Sequence, residues 1–386
     1  MSENNLYYIY IDSKIEGTVD QLISYFQTNV FNKYDCICIC FKYYKVIEKY
    51  IKKNLEGLDI PYKFIKRNSD LSFESGKTIF YLFNAQSNCK ITVRRDLTHI
   101  FVSHGESHKL ASIKPIFRIY DFVITSGQVG IERFLKAGIF NSYNIQHESR
   151  VLPMGDTFIG QNPYVFAPND HSLLYAPTWE GGVPSENYSS VGEKATDRLY
   201  RIIEKYKITT LYIQPHPNLG HRDQSYISRF KRMIRNLKKL SIDIIIIKNH
   251  ISFTDRLNYK GCKLVQQYLY QSIGISMAVV DISAMEMQLL NKHIPILVLF
   301  EDYIVKDLVI PKRVQHLYDL DRSLNALNIE DFDFDKQLCE IERNYDYFIS
   351  YHEEHLKFLS FKQRIQWLCQ FGKNTKAELM QKNVDL

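Results

Sequence analysis

Short apolar runs alternate with longer amphipathic stretches along most of this chain, and few folds accept that alternation. In the first half the runs are LYYIYI, CICICF, TIFYLF, HIFVS and FVIT, with TVDQLISYFQTNVF and KVIEKYIKKNL among the stretches between them. The pattern reads as βαβ units laid on a mainly parallel sheet. The second half repeats it with SLLYAP, TTLYIQ, IDIIII, MAVVDI and IPILVLF. IDIIIIK is apolar almost throughout, as a strand buried on both faces requires. Between the halves runs VLPMGDTFIGQNPYVFAPNDHS, whose Pro, Gly, Asn and Asp make turns and loops. A chain of 386 residues exceeds one small core, and domains of ~150 residues predict two or three. The expected architecture is α/β: two Rossmann-like domains, 1–160 and 161–330, facing a cleft. Residues 331–386 are expected as C-terminal helices packing back on the body.

Composition narrows the function classes. The 45% hydrophobic and 24% charged content is that of a soluble globular protein. A net charge of +6 is modest and diffuse, so nucleic acid is not expected as a partner. Cys36, Cys38 and Cys40 alternate, which places all three on one strand face. Their i, i+2 spacing suits neither a disulfide nor tetrahedral zinc, so they read as small buried hydrophobes in a reducing compartment. No signal-like N-terminus and no run of ~18 apolar residues is present, and a cytoplasmic location is expected. The basic, aromatic stretch FLSFKQRIQWLCQFGKNTK suits a closing helix, or contact with an anionic membrane face.

Candidate site residues cluster where strands end. In FVSHGESHKLAS, His104 can act as a base near neutral pH and Gly105 permits a sharp turn or close ligand approach. Lys109 can hold a phosphate as a point charge. A solvated loop and a His104–His108 metal pair are the competing readings, the second weakened by Gly105. In LYIQPHPN, Pro215 and Pro217 restrict the backbone and aim His216; a structural capping role competes. In MAVVDISAMEMQLL, a strand ends at Asp281, Ser283 occupies an N-cap position and Glu286 completes a capping box. The same helix start can hold a diphosphate, and Glu286 can accept from ribose hydroxyls. In LLYAPTWEGG a strand enters a flexible loop, where Thr178 can donate to a phosphate and Trp179 can stack.

Taken in order, HGESHK, DFVITSGQVGIERFLKAGI, LPMGDTF, LLYAPTWE, QPHP and VVDISAMEMQLLNKHIPILVLFED resemble the CDP-glycerol glycerophosphotransferase family, the teichoic-acid-type polyol-phosphate transferases and related capsule polymerases. The resemblance covers roughly residues 98–305. It implies a GT-B-like fold and transfer of a polyol phosphate from a CDP-activated donor to a polysaccharide or lipid-linked acceptor, with release of CMP. It implies His104 as the base, and His216 and Ser283 as ligands of the donor diphosphate. Catalytic roles thus fall on His104 and His216, and donor binding on Gly105, Lys109, Thr178, His216, Asp281, Ser283 and Glu286. No metal site is expected, since the chain lacks an Asp-x-Asp motif of the sugar-nucleotide kind and FDFD near residue 332 lies in the tail. No cofactor is required, with Mg²⁺ as an optional helper. The chain departs from the family at Ala284, where a second Ser is usual, and at Gln288, where an Asp is usual. Those departures admit a second reading, a GT-B glycosyltransferase using a CMP- or UDP-sugar, as bacterial sialyl- and polysialyltransferases do with a His-Pro and a serine motif. Peripheral contact with the cytoplasmic membrane face is expected because such acceptors are lipid-linked.

Overall fold

The computed structural model describes residues 6–103, 105–266, 271–319, 323–325 and 333–382. His104 and the first residue of FDFD, Phe332, lie outside them. The chain forms two compact units. One comprises residues 1–106, 113–160 and 346–386; the other comprises 107–112 and 161–345. The C-terminal helices are therefore divided between the units, with the boundary inside the helix Phe334–Phe348.

The first unit is built on a seven-stranded sheet. Its strands are β1 (Tyr7–Ile11), β2 (Cys36–Lys42), β3 (Tyr62–Ile65), β4 (Thr78–Tyr81), β5 (Thr98–Phe101), β6 (Phe122–Thr125) and β7 (Val151–Pro153). They lie in the order β3-β2-β1-β4-β5-β6-β7, every pair parallel. Parallel neighbours need crossovers, and the helices Glu16–Gln27 and Lys45–Leu55 supply two of them. The second buries Ile47, Ile51 and Leu55, one face at helical spacing. Each such side chain removed from water contributes about 1.5–3 kcal/mol. The order reverses between β1 and β4, the strand pattern of a Rossmann-like unit.

The cysteine expectation needs one correction. The β1–β2 register slips between Tyr7, opposite Cys36, and Tyr8, opposite Cys38. A slip of one residue sends side chains to the other face. Cys36 accordingly packs with Ile39 and Phe41, whereas Cys38 and Cys40 pack with Tyr8 and Tyr10 on the opposite face. All seven cysteines are free thiols.

Two long-range ties complete the unit. The buried carboxylate of Glu106 accepts from the Ser126 N–H at 3.0 Å and from the Arg133 guanidinium. It thereby joins the end of the HGE stretch to the helix Gln128–Lys136. Gly130 is needed there, since a Cβ would stand 2.6 Å from Thr125 and 3.1 Å from Glu106 Oε1. The helix Phe361–Lys382 buries Ile365, Leu368 and Cys369 in the unit's core, and Trp367 and Phe371 pack beside them. Its apolar face is thus spent on the protein. Among the described residues no helix is long and apolar enough to cross a membrane.

The second unit holds a six-stranded parallel sheet. Its strands are β9 (Ser172–Ala176), β10 (Thr210–Ile213), β11 (Asp243–Lys248), β12 (Lys263–Gln266), β14 (Met277–Asp281) and β15 (Ile296–Leu299). A separate parallel pair joins β8 (Tyr164–Phe166) to β13 (Ile273–Ile275). The main order is β12-β11-β10-β9-β14-β15. The helices Glu193–Lys205 and Ser225–Leu237 bury Leu199, Ile202, Phe230 and Met233 against one face. The fold class is α/β, two Rossmann-like units with parallel sheets and C-terminal helices.

Candidate functional site

In the second unit the strand order reverses between β9 and β14. Open α/β sheets bind ligands at the carboxyl ends of the strands at such a reversal, because the connections diverge there and leave a crevice. Asp281 is the last residue of β14, and Thr178 follows β9 by two residues. Asp281 Oδ2 accepts from the Thr178 N–H at 2.7 Å and from the Ser190 N–H at 3.1 Å. Asp281 is fully buried, and its Oδ1 has no hydrogen-bond partner among the described residues. Burial prevails over these donors and over the charge of Lys109, and pushes the carboxyl up to about 7.

Lys109 reaches this point from the short segment 107–112, which belongs to this unit although it precedes the rest by some fifty residues. Its Nζ donates to Thr178 Oγ1 at 3.0 Å and lies 5.3 Å from the centre of the Tyr188 ring. The Tyr188 hydroxyl in turn accepts from the Leu110 N–H at 3.2 Å. Burial lowers the ammonium to about 8, against the opposing charges of Asp281, Glu286 and Glu186. An ammonium carries three donors, and Thr178 engages one of them. The site therefore presents a cation, partly stripped of water, beside a carboxylate with one open oxygen.

The strand β10 delivers His216. Its backbone N–H donates to Pro177 O at 3.1 Å, which ties QPHP to the APTW loop. Its Nδ1 accepts from the Asn218 N–H at 3.1 Å, so the neutral ring carries its proton on Nε2. The Trp179 ring stacks on it, centroids 5.9 Å apart at 17°. The loop after Trp179 is more tightly held than its two glycines suggest. Glu180, fully buried, accepts from the backbone N–H groups of Gly220, Arg222 and Asp223 at 2.8–3.0 Å. Burial alone would raise its carboxyl; those N–H groups outweigh burial and hold it below the ordinary range. Arg222 donates back to the carbonyls of Glu180 and Gly181 at 2.9 Å. Gly181 sits at φ +72°, with Glu186 O only 2.4 Å from where a Cβ would be. The flexible loop expected from WEGG is instead a pinned turn.

The stretch after β14 also departs from expectation. The helix that follows is six residues long, Met285–Leu290, and Ala284 stands at its N-cap. A single turn and a half offers little dipole for a diphosphate. Ser283 Oγ accepts from the Met285 N–H at 3.3 Å, while Glu286 Oε1 accepts from the Ser283 N–H at 2.7 Å. Half of a capping box is therefore present, built one position earlier than the helix start. Glu286 Oε2 accepts from the buried Tyr318 hydroxyl. Each of its oxygens thus has a partner within the chain and keeps a further lone pair for a ligand hydroxyl.

The structure brings Lys109, Thr178 and Asp281 together, joins His216 to them through Pro177, and sets Ser283 and Glu286 just beyond Asp281. Gly105 belongs to the first unit, at φ +127° beyond β5, with Ser103 also left-handed at φ +63°. Sequence reasoning missed Ser190, Tyr188, Glu180 and Tyr318. Only Glu180, a charge between Trp and two glycines, carried a local signal. Among the described residues no group of three or more His, Cys, Asp or Glu side chains is placed to hold a metal ion.

No protein-family model matches the chain, and no curated protein matches it. By structure it is similar to S. aureus MnaA in complex with UDP, at 12% identity and TM-score 0.46 over 92% of this chain and 94% of that one. It is similar to the UDP-GlcNAc 2-epimerase from Neisseria meningitidis bound to UDP-GlcNAc, at 10% identity and TM-score 0.43 over 99% and 100%. It is also similar to a glycosyltransferase from Rickettsia africae, at 12% identity and TM-score 0.40 over 100% and 98%. Likeness at this level transfers neither family nor substrate, and the fold assignment stands on the strand orders given above.

Proposed function

We propose that the protein is a transferase that moves a polyol phosphate, glycerol or ribitol phosphate, from a CDP-activated donor to a hydroxyl of a surface polysaccharide or teichoic-type acceptor. The observation that carries this reading is Lys109, held by Thr178 beside Asp281 at the strand reversal. A cation with spare donors, partly shielded from water, stabilises the oxygens of a donor diphosphate far better than a surface lysine does. His216, with its proton on Nε2, adds a neutral donor to the same oxygens, and Ser283 a hydroxyl. The acceptor hydroxyl oxygen attacks the phosphorus that bears the polyol, its proton passes to the base, and the diphosphate P–O bond breaks to release CMP. The family resemblance assigns the base to His104. Its part in turnover is tested by His104→Ala, which is expected to abolish turnover while leaving donor affinity within about twofold. In this reading Lys109, His216 and Ser283 supply the charge stabilisation without a required cofactor; Mg²⁺ as a helper is tested by chelation. The acceptor is proposed to be lipid-linked and met at the cytoplasmic membrane face.

A second reading, a glycosyltransferase using a CMP- or UDP-sugar, is favoured by Ala284 and Gln288, which replace the usual Ser and Asp. One donor screen separates the two. The protein is incubated with CDP-glycerol, CDP-ribitol, CMP-sialic acid and UDP-sugars together with a capsule or teichoic acceptor, and nucleotide release is followed by chromatography. CMP from a CDP-polyol alone supports polyol-phosphate transfer. CMP from the sialic acid donor, or UDP from a UDP-sugar, replaces it with the glycosyltransferase. No release from any donor removes both.

A further inference from the structure

Four cationic side chains from four separate segments of the first unit line one small pocket at the edge of its sheet opposite the strands' carboxyl ends. Arg95, Arg118 and Arg150 precede β5, β6 and β7, and Lys376 comes from the C-terminal helix. The pocket has a volume of about 250 Å³, and Asp121 and Glu148 are the carboxylates on its wall. Asp121 is already engaged. It accepts from Lys376 Nζ at 2.7 Å, from Arg95 Nη1 at 3.2 Å and from the His99 N–H at 2.8 Å. Glu148 accepts from Asn144 Nδ2 at 2.7 Å. Four cations against two carboxylates leave a surplus of positive charge in one pocket.

Arg150 and Arg118 carry that surplus. Arg150 is anchored rather than loose. Its Nε donates to Asp121 O at 2.8 Å, and its Nη2 to Arg118 O at 2.9 Å and Tyr120 O at 2.6 Å. Its Nη1 has no such acceptor among the described residues. Burial works against the Arg150 charge; the carboxylates of Glu148 and Asp121 offset part of that cost, and the neighbouring charges of Arg95 and Arg118 add to it. Arg118 is exposed and forms no ion pair among the described residues. Clustered cations, one of them fixed in orientation by backbone carbonyls, make an arrangement suited to an anion. Guanidinium forks match the oxygens of a phosphate, and the surplus charge matches a phosphate ester. The volume admits a phosphate with a few further heavy atoms, since a water molecule takes ~30 Å³. Leu379 and Met380, the latter 43% exposed, give the rim an apolar side.

We infer that this pocket binds a phosphate-ester anion, independently of the site at the β9–β14 reversal. The ester is either a soluble one or the headgroup of a lipid, and the test separates them. Calorimetry with sn-glycerol 3-phosphate and with inorganic pyrophosphate forms one arm. Co-sedimentation with phosphatidylglycerol-containing vesicles, against phosphatidylcholine alone, forms the other. Saturable binding is expected in at least one arm, weakened by salt and reduced roughly tenfold in Arg95→Gln/Arg118→Ser. Arg118→Glu alone, at an exposed position with no ion pair to lose, is expected to weaken it as strongly. Binding of the soluble probes identifies a soluble ester, and binding only to the anionic vesicles identifies a lipid headgroup. Absence of binding in both arms, or equal binding by wild type and both variants, overturns the inference.

Discussion

Both units reverse their strand order once, and each places an aspartate at the carboxyl ends beside the reversal. Asp12 follows β1 in the first unit, and Asp281 ends β14 in the second. Their surroundings differ. Asp12 accepts from Tyr44 at 2.6 Å, Ser87 at 2.6 Å and Lys42 at 2.9 Å. Burial would raise its carboxyl, but Ser87, Tyr44 and Lys42 together hold it below the ordinary range. Asp281 has two backbone donors on one oxygen, none among the described residues on the other, and a carboxyl raised to about 7. The first network is closed on itself. The second is built and left unfinished, which is the condition of a binding site rather than of a structural clasp.

Four substitutions probe that contrast, beginning with the largest effect. Lys109→Met is expected to lower kcat/KM for the nucleotide donor by about 100-fold or more, since it removes the partly buried cation of the open site; nucleotide release measures it. Asp281→Ala leaves the Thr178 and Ser190 N–H groups buried without an acceptor, and should cost about 3 kcal/mol in chemical denaturation. Asp12→Ala, beside a Lys42 that is 40% exposed, should cost only about 1 kcal/mol. If the two aspartates cost the same, the contrast fails. Glu180→Gln keeps an acceptor but loses its charge and one oxygen's worth of N–H partners. It should cost about 2 kcal/mol and weaken donor binding through His216.

The smallest effect is the most diagnostic, because the aspartates should pull stability in opposite directions with pH. Asp281 titrates at about 7 in the fold and at ~3.9 unfolded. The folded state therefore holds the extra proton between those values, and this group's contribution falls as pH rises from about 4 to 7. Asp12 is lowered, so its contribution is present above ~4 and is lost as pH falls. Lys109 titrates at about 8 in the fold and at ~10.4 unfolded, where the unfolded chain holds the extra proton; its penalty is relieved from about pH 8 to 10. Thermal unfolding of wild type, Asp281→Asn and Asp12→Asn across this range reads all three. Parallel profiles for the two variants would remove the distinction.

The parallel strands were legible because strands buried on both faces must be apolar runs; CICICF and IPILVLF needed no other clue. The short strands β3, β7, β8, β12 and β13 were not, for YKFI or VLP has too few residues to show a period. Site residues at strand ends were legible as types, and Lys109, Thr178 and Asp281 do meet. What joins them was not. The Glu180 turn is set by N–H groups some forty residues away, and segment 107–112 belongs to a unit whose remaining sequence starts at 161. Local pattern is silent over such separations. The Cys36 face was misread for a related reason, since a register slip leaves no mark in one strand's own residues.

The tail 346–386 carries a consequence for biosynthesis. Its helix fills the core of the first unit, and Gly372 lies close against Thr98, Phe122 and Ile100 of β5 and β6. The first 160 residues leave the ribosome long before that helix exists. Until that helix emerges, the flank of the first sheet has no cover, while the second unit, nearly contiguous from 161 to 345, has already been made. The part of the chain made first is then the last to be completed. A chain cut short near residue 350 would carry a finished second unit and an unfinished first, whose uncovered apolar face is a natural substrate for chaperones.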